Sequence, residues 1–152
     1  MTMGRFKILI TGGMFALVPG VLAPGALAAA STAPKLSVAV QPKTVRPNER
    51  YKIVLTVSYN KRALRTTPYL VAFLQYAGSA CKATAKAENA LPVVELDYAG
   101  SVRNSTFTRT DHWTAGARKG SRRACAYLYP FKVSPKSNTK PLLAASASFQ
   151  NV

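Results

Sequence analysis

The chain has 152 residues, and its 21 lysines and arginines against five aspartates and glutamates give a net charge of +16 at pH 7. A single histidine leaves little material for a zinc site or a catalytic triad. The sequence has neither a Gly-x-Ser-x-Gly elbow nor a glycine-rich phosphate loop. We therefore expect a non-enzymatic protein with no catalytic residues, no metal and no cofactor.

Residues 1–30 have the pattern of a secretory signal peptide. Arg5 and Lys7 form a positive start and an apolar stretch follows. Ala26-Leu27-Ala28 then supplies a small-x-small cleavage site, with Ala28-Ala29-Ala30 as a second option. We expect a protein that is secreted or held at the cell envelope, and an uncleaved anchor is the less favoured alternative. Residues 31–152 are long enough for one domain with a modest core.

Seven segments of this domain have the composition or alternation of short strands. They are 35–40, 51–59, 69–76, 93–98, 106–108, 122–130 and 143–149. The third is apolar on both faces, which predicts an interior strand. Residues 41–50 contain two prolines and are expected to form a turn-rich link. Residues 81–90 have high helix propensity and predict a short helical segment at the edge of the fold.

The stretch 122–130 is predicted to be the central strand, because both of its faces are apolar or amphipathic. One face carries Cys125, Tyr127 and Tyr129, and the other carries Ala124, Ala126 and Leu128. Two cysteines in an exported chain usually pair, so we predict a Cys81–Cys125 disulfide that ties this strand to the other layer or its rim. Two buried free thiols remain the alternative.

About seven short strands without a long helix predict an all-β, immunoglobulin-like antiparallel β-sandwich. The run Leu70-Val71-Ala72-Phe73, then Cys81, then Cys125-Ala126-Tyr127-Leu128 and a closing alternating strand resembles small secreted bacterial immunoglobulin-like domains. Antibody-type domains differ, because here the only tryptophan, Trp113, lies nearer the second cysteine and position 123 is arginine. The resemblance implies an extracellular binding or structural module.

The basic side chains are expected to collect at the two ends of such a sandwich, where its loops meet. One end is predicted to carry Lys61, Arg62, Arg65, Lys132, Lys136 and Lys140. The opposite end is predicted to carry Lys43, Arg46, Arg50, Arg118, Lys119 and Arg122. Both groups are candidates for binding a cell-wall polyanion, an acidic polysaccharide or extracellular DNA. A charge that only keeps the protein soluble is equally compatible with the sequence.

Other residues with chemical potential have structural interpretations. Glu95 and Asp97 share a strand face and are interpreted as counter-charges for arginines rather than as a catalytic pair. His112 is interpreted as a surface residue, and Trp113 and the tyrosines as packing residues rather than a sugar platform. The leading hypothesis is a binding module for anionic surfaces. A protein-interaction module (inhibitor, adhesin or toxin accessory) is the alternative, and a hydrolase with a pocket joining Glu95 or Asp97 to His112 is the third.

Overall fold

A computed structural model describes residues 33–152. The predicted signal peptide, residues 1–30, lies outside the described residues. Eight strands and one helix make up the described part. They are β1 Lys35–Gln41, β2 Thr44–Val45, β3 Arg50–Ser58, β4 Tyr69–Gln75, α1 Ala85–Asn89, β5 Val94–Ser101, β6 Thr106–Thr114, β7 Gly120–Tyr129 and β8 Leu143–Asn151. Within residues 33–152, no helix combines the length and the apolar character that a membrane crossing requires.

The strands form two sheets that pack face to face. β1, β3 and β6 make an antiparallel three-stranded sheet, and the second sheet has the order β2-β8-β7-β4-β5. Every pairing is antiparallel except the short parallel one between β2 and β8. The predicted immunoglobulin-like β-sandwich is therefore confirmed, with β7 at the centre of the larger sheet.

The first connection contains a strand that the sequence pattern does not reveal. β2 lies inside the segment 41–50, which was expected to be a turn-rich link, so the described part has eight strands rather than about seven. Its two residues pair with Gln150 and Asn151 at the end of β8, and Val45 is fully buried. Two residues are too few to show an alternating pattern, which is why the sequence gives no sign of this strand.

The main core lies between the two sheets and follows the alternation in the sequence. β3 contributes one buried residue at every second position. These residues are Tyr51, Ile53, Leu55 and Val57. β7 contributes one of its two predicted faces, which consists of Ala124, Ala126 and Leu128. Each fully buried large apolar side chain stabilises the fold by about 1.5–3 kcal/mol, so this layer is the main source of stability.

A second apolar cluster covers the outer face of the five-stranded sheet. β4 is buried at every residue, because Val71 and Phe73 on its outer side pack in this cluster. β7 adds its other predicted face, which consists of Cys125, Tyr127 and Tyr129. Ala85 of α1 and Val133 of the β7–β8 connection close over them. The interior position of β4 and the two-faced character of β7 are both confirmed.

The disulfide between Cys81 and Cys125 is confirmed, with the two Cα atoms 5.8 Å apart, but it does not link the two layers. Cys125 belongs to the outer cluster, and Cys81 lies in the connection between β4 and α1. The bond therefore fastens this connection to the outer face of the five-stranded sheet. The expected link to the other layer or its rim is wrong. Successive residues of a strand point to opposite faces, so Cys125 lies on the outer face of β7, while Ala124 and Ala126 face the other layer.

The predicted helical segment is present but covers only Ala85–Asn89 of the expected 81–90. Thr84 begins it, since its side-chain oxygen accepts a hydrogen bond from the Ala87 amide at 3.3 Å. The residues before Thr84 are held outside the helix. Cys81 is held by its disulfide, and the Lys82 amide donates to the Glu88 carboxylate at 2.7 Å.

The alternating strand directions sort the connections to two ends of the sandwich. One end holds the segments 59–68, 102–105 and 130–142, and we call it the cationic end. The other holds the segments 42–49, 76–93 and 115–119, and we call it the helix end because α1 lies there. Every strand except the short β2 runs from one end towards the other, so each loop residue can be assigned to an end.

Candidate anion-binding site

The cationic end carries eight exposed lysines and arginines. They are Lys35, Lys61, Arg62, Arg65, Arg103, Lys132, Lys136 and Lys140. Six of them form the first predicted group, which the strand directions bring to one end. Among residues 33–152 the one ion pair within 4.0 Å is Arg109–Asp111, so none of these eight has a carboxylate partner in that range. Their role in binding remains a prediction.

All five acidic side chains lie towards the helix end. They are Glu49, Glu88, Glu95, Asp97 and Asp111. Glu49 is in the turn before β3, Glu88 is in α1, and Glu95 is the second residue of β5. Asp97 reaches across to Trp113, the next-to-last residue of β6, and Asp111 precedes Trp113 by two residues. The fold thus separates charges that are scattered along the sequence.

The second predicted basic group is only partly available to a ligand. Five of its residues are exposed at the helix end, namely Lys43, Arg46, Arg50, Arg118 and Lys119. Arg122 is only 4% exposed, because it shares the inner face of β7 with Ala124. Its guanidinium lies 4.6 Å from the centre of the Tyr76 ring and donates to the Arg118 carbonyl at 2.8 Å. Arg122 is therefore a packing residue, which corrects its place in the predicted group.

Two carboxylates on β5 accept hydrogen bonds from aromatic side chains. The Tyr76 hydroxyl donates to Glu95 at 2.7 Å, and the Trp113 indole donates to Asp97 at 3.1 Å. The expected role as counter-charges for arginines therefore does not describe their contacts. Burial raises the pKa of Asp97 to about 6, and the charge of Asp111 adds to this rise. Trp113 also packs against the main core, as predicted.

The hydrolase hypothesis requires His112 to face the carboxylates of β5, but the side chain of His112 points to the opposite face of β6. His112 is exposed and lies opposite Lys52 in the ladder between β3 and β6. Trp113, the next residue, is the one that contacts Asp97. Because successive strand residues point to opposite faces, His112 and Asp97 lie on different sides of the three-stranded sheet. The strand geometry does not bring these groups into one pocket.

A pocket of about 270 Å³ opens at the cationic end. Its lining residues come from the β3–β4 and β5–β6 connections, and three of them are basic. The lining consists of Tyr59, Lys61, Leu64, Arg65, Thr66, Thr67 and Arg103. This volume is slightly below the usual range of about 300–1,000 Å³ for sites that hold drug-sized ligands. A small charged group therefore suits it better than a large apolar molecule.

Hydrogen bonds fix the walls of this pocket. The buried Tyr59 hydroxyl donates to the Val102 carbonyl at 2.9 Å, and the Val102 amide donates to the Pro68 carbonyl at 2.8 Å. The Thr66 hydroxyl donates to the Pro130 carbonyl and so joins the third connection to the first two. The basic side chains of Lys61, Arg65 and Arg103 make no hydrogen bond to any part of the chain that the structure describes. The backbone around the pocket is thus held in place, while the N–H groups of the three basic side chains remain available to a ligand.

Sequence reasoning misses Arg103 as a member of this group. It lies in a polar segment between two strands and has no basic neighbour within ten residues on its N-terminal side. The signal that could have found it is topological. In a sandwich with this strand order, the β5–β6 connection meets the β3–β4 connection at the same end. The register of the ladders, rather than local composition, places Arg103 beside Arg65.

The helix end contains a buried polar network around Glu88. This side chain is fully buried and accepts hydrogen bonds from the Gln75 amide group, the Lys82 backbone amide at 2.7 Å and the Tyr127 hydroxyl at 2.9 Å. A buried carboxylate requires such donors, because losing its hydration is costly. Glu88 therefore anchors α1 to the sheet. Its position in a short polar segment gives no sign of burial in the sequence.

No protein-family model matches the chain, and the curated proteins contain no match either. The chain is similar in structure to the CARDB domain of the PF1109 protein from Pyrococcus furiosus in complex with di-metal ions, with a TM-score of 0.46, 16% identity and coverage of 78% of this chain and 89% of that one. It is also similar to the alkylpurine DNA glycosylase AlkC of Pseudomonas fluorescens, with a TM-score of 0.44, 12% identity and coverage of 77% and 29%. These similarities are distant, so function is inferred below from the residues of this chain.

Proposed function

We propose that the protein is an exported, non-enzymatic module that binds anionic polymers through its cationic end. The observation that carries this proposal is the separation of charge within the fold. Eight exposed cations lie at one end with no acidic residue among them, while all five acidic residues lie towards the other. A surface of one sign attracts a polyanion over a distance of about 8–10 Å at ordinary ionic strength.

Solubility alone does not account for this separation. A surface charge that keeps a protein in solution works equally well when both signs are interspersed. Here the acids are used for packing at the helix end, where Glu88, Glu95 and Asp97 accept hydrogen bonds from the fold itself. The cationic end has no acidic residue beside its eight cations, which favours an external anionic partner.

Export is supported by two independent features. Residues 1–30 have the pattern of a signal peptide, and the Cys81–Cys125 disulfide is typical of oxidising compartments. The partner we propose is therefore an anionic polymer at or outside the cell envelope. Cell-wall polyanions, acidic polysaccharides and extracellular DNA share the repeating negative charge that the cationic end would contact.

Two charge-matched variants test the proposal on a dextran sulfate column in a salt gradient. The first removes four cations at the cationic end through Lys61→Gln, Arg65→Gln, Lys132→Gln and Lys136→Gln. The second removes four at the helix end through Lys43→Gln, Arg46→Gln, Arg118→Gln and Lys119→Gln. We expect the wild type to elute by about 0.2–0.3 M salt. The first variant should elute much earlier and the second close to the wild type.

Equal shifts of the two variants would contradict the proposal, since they would show that retention follows net charge alone. Unfolding midpoints measured on both variants serve as a control, because all eight residues are exposed and their removal should change stability by less than about 0.5 kcal/mol each. Replacing the column ligand with DNA or with a phosphate-backbone polymer then ranks the three classes of partner.

A protein partner is the second candidate, and one observation favours it. Phe131 and Leu142 flank the lysine-bearing β7–β8 connection and are 51% and 44% exposed. Exposed apolar side chains beside basic ones are common at protein-binding surfaces. Phe131→Ser with Leu142→Ser should leave polyanion retention unchanged under our proposal. Loss of retention in this variant would favour a binding mode with an apolar component.

A further inference from the structure

We propose that the pocket at the cationic end is a discrete site for one tetrahedral oxyanion, a phosphate or sulfate group, held by Arg65, Arg103 and Lys61. This inference rests on the proposed function and names the chemical unit of the polymer that the cationic end recognises. It differs from attraction by diffuse charge, because a built site distinguishes groups of equal charge by their shape.

Donor number favours a tetrahedral group over a carboxylate. Each arginine presents five N–H donors in a planar fork and the lysine presents three. A carboxylate has only two oxygens to receive them, whereas phosphate and sulfate present three or four oxygens in different directions. Three basic side chains line the pocket, two from the β3–β4 connection and one from the β5–β6 connection. A group with oxygens on several sides can accept from all three.

The hydroxyl groups around the pocket support the same assignment. Tyr59 and Thr66 donate to main-chain carbonyls, so they hold the walls and do not serve as donors to a ligand. Thr67 is exposed on the lining and can donate to an oxyanion oxygen. The turn that carries Lys61 is fixed as well, because the Leu64 amide donates to the Asn60 carbonyl at 3.0 Å. The backbone around the pocket is thus held before binding, and a ligand has to order only the side chains that contact it.

The size of the pocket fits one such group and the start of its attached unit. A volume of about 270 Å³ is enough for one phosphate or sulfate group together with ordered water. An oxyanion displaces part of this water and keeps the rest as bridges to more distant donors. Lys132, Lys136 and Lys140 do not line the pocket, although they lie at the same end. They are placed to contact neighbouring repeats of a polymer.

The test is a titration with inorganic phosphate and with sulfate at constant ionic strength, followed by the NMR signals of the arginine side-chain N–H groups. We expect saturable shifts at Arg65 and Arg103 with a dissociation constant on the order of 1 mM. Malonate, a dicarboxylate with the same charge as sulfate, is the control and should bind at least about tenfold more weakly. If phosphate and sulfate bind differently, the tighter one identifies the kind of polymer.

Variants separate the pocket from general charge. Arg103→Gln should weaken phosphate and sulfate binding at least about tenfold, and Arg103→Lys, which keeps the charge but not the fork, should weaken it nearly as much. Lys136→Gln removes the same charge outside the pocket and should leave binding of the small ions unchanged. Shifts that do not saturate, or equal effects of Arg103→Gln and Lys136→Gln, overturn the inference.

Column retention distinguishes the two proposals. If Arg103→Gln binds phosphate and sulfate as the wild type does while the four-residue variant of the cationic end loses its retention on dextran sulfate, the discrete site is wrong and the proposed function stands. If the four-residue variant also keeps its retention, the proposed function is wrong.

Discussion

The two ends of the sandwich are both rich in lysine and arginine, yet they use charge in different ways. At the helix end, acidic residues lie near the basic ones, and Glu88 is buried in a hydrogen-bond network with α1 and the sheet. Arg122 is likewise buried there. At the cationic end, eight exposed cations have no acidic residue among them. The difference teaches that a similar composition can serve packing at one end and external contact at the other.

The two ends also differ in how their connections are held to the sheets. The disulfide and α1 both belong to the helix end, where they cover the outer face of the five-stranded sheet. The connections of the cationic end carry no disulfide and are held by hydrogen bonds such as that from Tyr59 to Val102 and by buried apolar residues such as Val133. We therefore expect changes at the helix end to alter stability and changes at the cationic end to alter binding.

Removing the disulfide should have the largest effect. The bond closes a loop with a sequence separation of 44 residues, for which the chain-entropy model gives about 4 kcal/mol. Cys81→Ser with Cys125→Ser should lower the melting temperature by roughly 10–20 °C. Hydrogen exchange should accelerate first in residues 76–93 and leave residues 59–68 near their original rates. An unchanged melting temperature would falsify the structural role of this bond.

Removing the buried carboxylate should have the second largest effect. Glu88→Ala leaves the Gln75 and Lys82 donors without their acceptor, while the Tyr127 hydroxyl can still donate to the Lys82 carbonyl at 2.8 Å, and the free energy of unfolding should fall by about 3 kcal/mol. Lys86→Ala, two residues earlier on the same helix and exposed, is the matched control and should change it by less than about 0.5 kcal/mol. Denaturant unfolding measures both, and similar losses in the two variants would contradict the network.

Substituting one arginine at each end tests the comparison directly. Arg122→Ala removes the contact with the Tyr76 ring and should cost about 2 kcal/mol of stability without changing polyanion retention. Arg65→Ala should reduce retention and leave the free energy of unfolding unchanged within about 0.5 kcal/mol. If Arg122→Ala weakens retention as much as Arg65→Ala does, both ends contribute to binding and the division of roles is wrong.

The smallest expected effect is a pH dependence at the helix end. Because burial raises the pKa of Asp97 to about 6, the folded state holds a proton there more tightly than the unfolded state does. The stability from this group is present below pH 4 and is lost as pH rises towards 6, by about 1 kcal/mol after allowance for solvent screening.

Trp113 offers a direct measurement of this titration, since it is the only tryptophan and its indole donates to Asp97. Its fluorescence should change with a midpoint near pH 6, and Asp97→Asn should abolish that change. Unfolding of the wild type and of Asp97→Asn should also diverge between pH 4 and 7, with the variant gaining relative stability as pH rises. A flat fluorescence signal over this range would show that Asp97 does not titrate there.

The fold could be predicted from the sequence because the alternation of side chains in a strand is visible within a few neighbouring residues. The alternation in β3 and β7 correctly grouped the side chains that share a face, and the uninterrupted apolar run of β4 correctly predicted an interior strand. Two unlike faces of β7 even anticipated the two clusters of the structure. Such patterns follow from strand geometry and need no knowledge of partners.

The site was accessible only in part because it depends on contacts between distant segments. The expected strand order placed the first basic group at one end. Three other features depend on the register of the ladders and on the face that each residue occupies: the position of the acids, the burial of Arg122 and the place of Arg103 in the pocket. The disulfide pair was predictable from cysteine number, whereas the layer it fastens was not, since that depends on which face of β7 Cys125 occupies.

The most direct measurement of the central claim is an NMR titration of the uniformly ¹⁵N-labelled protein with tripolyphosphate, a short polyanion. We predict that backbone amide shifts concentrate in residues 59–68, 102–105 and 130–142 and that residues 42–49 and 115–119 change little. Shifts of equal size at both ends, or shifts spread over the whole basic surface, would contradict the account that only the cationic end binds.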